Sequence, residues 1–223
     1  MGILLTDDEI ISAVIQRGKS WPHPLPTVAL DSEALLSAGA RGARSLLVRG
    51  LAQTDGSSLV IDESISSIVD RVADSAERAI AYIADRSDPA ALAGSSTYLY
   101  LSSDVDRPAV LDLVSASGVH DLREVTRTEG VELFLAAVEN VFRLGIRTPS
   151  GDAEPVLFSF SNFGPQAVVV TKGRLELGER GIEDGTFDQR ESFRNWDGAL
   201  LSEALGLTST ATLSHSTNRE SGN

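Results

Sequence analysis

The stretch from Asp31 to Val72 constrains this chain more than any other, because its elements can be read in order: an amphipathic arginine-bearing segment, a turn at Gly50, a short strand, and a second amphipathic helix. Asp31 has the chemistry of an N-cap, and Glu33 follows where the helix dipole favours an anion. Leu35, Leu36, Ala40, Ala43 and Leu47 supply an apolar stripe, interrupted by Gly39 and Gly42. One helix or two short helices joined by a turn both satisfy that pattern. Asp55 and Gly56 read as a turn into a strand at Leu59, Val60 and Ile61, and Ile65, Ile68, Val69 and Val72 recur at helical spacing. Helix, strand and helix in this order suit a winged helix or the front of a mixed α+β domain.

Upstream, Thr6 followed by Glu9 is a capping-box pattern, and Ile10, Ile11, Val14 and Ile15 fall on one helical face before Gly18 stops the helix. The three prolines of Trp21 to Pro26 fix φ and restrict the residues before them, so this segment reads as a stiff connector. Beyond residue 78 the period changes. Ile80 to Tyr82, Tyr98 to Leu101 and Val110 to Val114 read as strands separated by Ser, Asp, Gly and Pro, which suits an antiparallel meander. A strong helix is expected from about Thr128, with Val131, Phe134, Leu135, Val138, Val141 and Phe142 as its stripe and Gly145 as its stop. Val156 to Phe160, Ala167 to Thr171 and Leu175 to Leu177 read as further strands. A final amphipathic helix is expected to carry Phe193, Trp196, Leu200, Leu201 and Ala204 up to Gly206. The expected class is α+β: N-terminal helices, a central largely antiparallel sheet, packing helices and a C-terminal amphipathic helix. Residues 1–207 read as one domain, with a lobe boundary, if there is one, near 146–154. Residues 208–223 read as a polar tail that does not pack.

Composition narrows the function classes. Thirty-two acidic against nineteen basic residues give a formal charge of −13, which repels polyphosphate and anionic membrane. The absence of cysteine removes disulfides, thiolate nucleophiles and cysteine-ligated metals. Asp7, Asp8 and Glu9 follow Ile3 to Leu5 where a signal peptide needs basic and then apolar residues, and no apolar run reaches membrane-spanning length. We therefore expect a soluble, cytoplasmic protein.

No reaction is written in the motifs. His23, His120 and His215 have no second ligand at metal-site spacing, no serine lies in a nucleophile elbow, and no glycine-rich phosphate loop is present. Asp104 and Asp106 offer two carboxylates to a cation, or form an exposed strand-end turn before Arg107 and Pro108. The expectation is a non-enzyme with no metal and no cofactor. Arg41, Arg44 and Arg49 cluster as a DNA recognition helix requires, yet acidic residues flank them and they do not share one face, so internal ion pairing is the competing reading. Leu92, in the weakly apolar segment Pro89 to Ala93, is a candidate for partner binding, and so are Phe193, Trp196 and Leu200 on the terminal helix.

The run from Val28 through Leu36, the Arg41 to Leu51 segment ending in Arg49, Gly50 and Leu51, the following strand and helix, a strand pair and the Val131 to Leu144 helix together resemble the N-terminal half of EspG-type proteins. These are cytosolic chaperones associated with mycobacterial type VII secretion. The resemblance covers about residues 6 to 145 and rests on element order and the Arg-Gly-Leu turn. It implies an α+β protein that binds the exposed tip of paired helical PE and PPE substrates. The second half departs from the family, being short for a full second lobe and lacking a long helical pair, and the family's contact residues find no one-to-one match here. The expected function is a cytosolic, non-enzymatic, chaperone-like protein that covers an apolar helical surface of a protein partner, such as a secretion substrate. The alternative is a winged-helix regulator reading DNA through Arg41, Arg44 and Arg49.

Overall fold

The computed structural model describes residues 2–29, 31–85, 98–104, 106–144, 146–148, 151–161, 164–171, 174–180, 187–193 and 198–204, with backbone only for 82–85, 98, 141–193 and 204. The fold is α+β. It begins with strand β1 (Gly2–Thr6), which the sequence reading did not anticipate, and passes directly into helix α1 (Asp7–Arg17). Thr6 caps α1: its side chain accepts from the Glu9 N–H while the Glu9 carboxylate accepts from the Thr6 N–H, and Gly18 ends the helix in the left-handed region at φ 63°. Helix α2 (Ser32–Val48) is continuous, with Asp31 accepting from the Ala34 N–H as its N-cap. Gly39 and Gly42 do not break it. They let α1 approach, since a Cβ on Gly42 would lie 1.9 Å from the Asp8 carbonyl oxygen.

A two-stranded hairpin follows, β2 (Ala52–Asp55) and β3 (Ser58–Ile61), and then helix α3 (Glu63–Asp74). The hairpin loop is Gly56 and Ser57, with Gly56 at φ 58°. The Ile65, Ile68, Val69 and Val72 stripe of α3 is fully buried. Strands β4 (Glu77–Asp85), β5 (Tyr98–Asp104), β6 (Arg107–Val114) and β7 (Val119–Val125) form the expected antiparallel meander, to which the structure adds β7 as an unforeseen fourth strand. Helix α4 (Arg127–Leu144) then crosses the sheet face to β8 (Ile146–Thr148) and β9 (Gly151–Ser161), and β10 (Gly164–Thr171), β11 (Arg174–Arg180) and β12 (Phe187–Phe193) extend the sheet before α5 (Gly198–Ala204). The strand order is β1-β7-β6-β5-β4-β9-β10-β11-β12, with β8 beside β9 and every pairing antiparallel. Because β9 pairs with β4, the sheet is continuous across 146–154.

Strand alternation splits the core into two layers. Leu99, Leu101, Ala109 and Leu111 meet Val131, Phe134 and Val138 of α4 and Leu201 of α5 on one face. On the other face Leu5, Val110 and Leu122 meet α1, α2 and α3. Among the described residues, no helix is long and apolar enough to cross a membrane.

Two expectations are corrected. The stripe assigned to the buried side of α2 is mostly the outer face: Leu36, Ala40 and Leu47 are exposed, while Ala38, Gly42 and Leu46 are buried against α1. Small residues won the inner face because the helices pack so closely there. Phe193 belongs to β12, paired with Leu175, and not to the terminal helix, which begins only at Gly198.

Candidate functional site

Two places concentrate unusual chemistry. The first is enclosed. His120 on β7 is fully buried between two carboxylates, with Nδ1 2.8 Å from Asp112 Oδ2 on β6 and Nε2 2.8 Å from Asp7 Oδ1 at the start of α1. Asp7 also accepts on Oδ2 from the Thr27 N–H at 2.7 Å and the Thr27 hydroxyl at 2.6 Å. Burial alone pulls the His120 pKa down, but the bonds to Asp112 and Asp7 outweigh it and raise the pKa to about 9. Burial pushes Asp7 up, and hydrogen bonds from His120 and Thr27 more than reverse this and hold it below the usual carboxylate range. Asp112 is pushed up by burial, which its bond to His120 offsets only in part. The charged form of His120 is thereby favoured between Asp112 and the Asp7 carboxylate, which lies in the first turn of a helix.

The proline connector closes this cluster. Trp21 stands edge-on to both His23 and His120, at centroid distances of 5.6 and 6.0 Å. His23 is buried, stacks on Tyr100 at 4.1 Å and shares a 3.2 Å hydrogen bond with Ser102 Oγ. Burial, with some repulsion from Arg78 and His120, drives its pKa well below 6.5, so it is neutral. Leu25 and Val28 enter the core as well. The connector is thus a packed strap. Its chemistry is that of a structural polar core: both imidazole nitrogens of His120 are occupied, and Asp7, Asp112 and His120 are each exposed by 1% or less. Among the described residues, no group of three or more His, Asp or Glu is arranged to hold a metal ion. Sequence spacing did not reveal the Asp7, Asp112 and His120 cluster, because its members lie on three elements joined only by the sheet register.

The second place is the outer surface of α2 and the hairpin. Leu36 is 68% exposed, Val48 83% and Val60 42%, with Leu47 also exposed. Between the end of α2 and the hairpin lies an open-sided cleft of about 460 Å³, floored by Leu51, Ala52 and Ile61 and edged by Val60, Asp62 and Glu63.

The sequence candidates are placed as follows. Arg41 binds Asp8 with both Nε and Nη2, at 2.7 and 2.8 Å, and its Nη1 donates to Ser37. Arg49 donates from Nη1 to the buried Glu9 at 2.6 Å and from Nη2 to the Leu4 carbonyl at 2.9 Å. Arg44 is exposed and makes no ion pair among the described residues. Asp104 ends β5 and accepts from the Ala76 N–H, and with Arg107 opposite, this is the strand-end turn of the two readings. Leu200 is half-buried against the α4 side of the core. Leu92, Trp196 and the 208–223 tail lie outside the described residues. No family model matches the chain, and neither does any curated protein.

Proposed function

We propose that this protein is a non-enzymatic, chaperone-like binding protein that covers an apolar helical surface of a protein partner. One observation carries the reading: the outer face of α2 holds the large apolar side chains Leu36, Leu47 and Val48 in water, among Ser37, Arg41 and Arg44. The inner face is buried on α1, and Leu36, Ala40 and Leu47 recur along the outer face at helical spacing, next to Val48 and in water. A soluble protein rarely leaves such a row uncovered unless something docks there. The titratable cluster is closed by the strap, and both His120 nitrogens and both Asp7 oxygens are already bonded, so the binding reading rests on the outer surface instead. The order α2, hairpin, α3 and sheet is also the part that resembles EspG-type chaperones, so a helical secretion substrate in the cytosol is the partner class we favour. DNA reading is the weaker proposal, because Arg41 and Arg49 are already bound to carboxylates of α1.

The test is affinity capture of the tagged chain from its native cells after nuclease treatment, beside a Leu36→Asp/Leu47→Asp variant checked for folding by circular dichroism. A helical protein retained by the wild type and absent from the folded variant supports the reading. Equal retention by both rejects the α2 surface, and a protected DNA fragment lost in Arg44→Ala would replace the reading with DNA binding.

A further inference from the structure

The cleft beside the hairpin has a chemistry that defines its occupant. Its floor is rigid: Ile61 is buried, Leu51 and Ala52 pack on the core, and the Asp62 N–H donates to the Leu51 carbonyl at 2.9 Å, tying the hairpin exit to the end of α2. The outer face of the hairpin carries Val60 opposite Gln53, with Asp55 next on the same face. Asp62 and Glu63 form the rim. The Asp62 carboxylate is fixed by the Ser64 N–H at 2.8 Å and the Ser64 hydroxyl at 2.6 Å, and these bonds hold it ionised. Among the described residues, no lysine or arginine lines the cleft. The exposed Val60 side chain beside an anionic rim, on a chain of net charge −13, is complementary to a cationic segment that carries an apolar side chain.

We propose that this cleft docks a polypeptide segment of a protein partner that sets one apolar side chain against Val60 and an adjacent Lys or Arg against Asp62 and Glu63. This deepens the protein-binding reading above and rests on it. The open side of the cleft suits a chain lying across it, and the fixed floor means the site needs little rearrangement to receive one.

Two fluorescent amphipathic peptides with the same leucine stripe, one flanked by lysines and one by glutamates, are titrated against the full chain by anisotropy. The lysine peptide should bind at least about tenfold tighter than the glutamate peptide and weaken as salt rises. Val60→Asp gives the decisive sign. It adds a negative charge, so general attraction to an acidic protein would leave binding unchanged or strengthen it, whereas docking at the cleft requires a loss of at least about tenfold. Val60 faces solvent, so the variant should melt close to the wild type, and Val60→Leu should retain binding. Unchanged or tighter binding by Val60→Asp overturns the proposal, as does the absence of binding by either peptide. If Leu36→Asp/Leu47→Asp abolishes binding and Val60→Asp does not, the cleft is rejected while the protein-binding reading stands.

Discussion

His120 joins two parts of the molecule that are far apart in sequence, and its partners set how the fold responds to pH. Its pKa rises from 6.5 to about 9 on folding. The stabilisation is fully present below about pH 6.5 and is lost as pH rises through about 9, because over that window the folded state holds the extra proton. His23 has the opposite sign. Its pKa falls on folding, so stability is lost as pH drops below 6.5. We expect denaturant stability to peak near pH 6.5, with His120→Gln flattening the alkaline limb. The same substitution leaves two buried carboxylates without their cation and should cost about 3–5 kcal/mol near neutrality, measured by urea unfolding. Gly118 is a second test of the cluster. It sits at φ 71°, and a Cβ there would lie 2.5 Å from Asp7 Oδ2. Gly118→Ala should cost about 1–3 kcal/mol from the backbone alone, and more from the displaced carboxylate. His23 and His120 were legible as residues but not as a site, since spacing along the chain carries no record of which strands become neighbours.

At the scale of elements, Glu9 and Arg49 link β1, α1 and α2. Glu9 is buried and accepts from the Thr6 N–H, the Ser45 hydroxyl and Arg49, while Arg49 also caps the outward-facing Leu4 carbonyl. Strand β1 is the end of the sheet and has no charged or proline residue of its own to discourage pairing with another chain. We expect Arg49→Ala to uncover that edge and cause self-association, seen by light scattering, with little change in helix content. Gly42 tests the helix pair: Gly42→Ala must push α1 from α2 and should cost about 1–3 kcal/mol as overpacking. Element identity was readable wherever caps or periodicity were strong, as at Thr6, Gly18, Asp31 and the α3 stripe. It failed at α2, where two apolar stripes compete and the larger side chains lie on the outer face. It failed also at Phe193, whose aromatic spacing to Trp196 and Leu200 imitates a helix although the backbone pairs with β11.

At the scale of the whole molecule, helices pack on both faces of the meander, with the α1, α2 and α3 layer on one side and α4 with α5 on the other. The α+β class and the meander followed from strand composition and turn residues. The sheet order did not, because β9 joins β4 only after α4 has crossed the sheet, and a crossover leaves no local signal. The layer holding α2 exposes Leu36, Leu47 and Val48 to solvent. Binding through this layer is therefore the central functional claim, and hydrogen exchange on the captured complex tests it most directly. We expect slowed exchange on partner binding at residues 32–48 and 52–63, with that effect lost in Leu36→Asp/Leu47→Asp. Protection confined to the α4 and α5 side, with 32–48 exchanging as in the free protein, would contradict it.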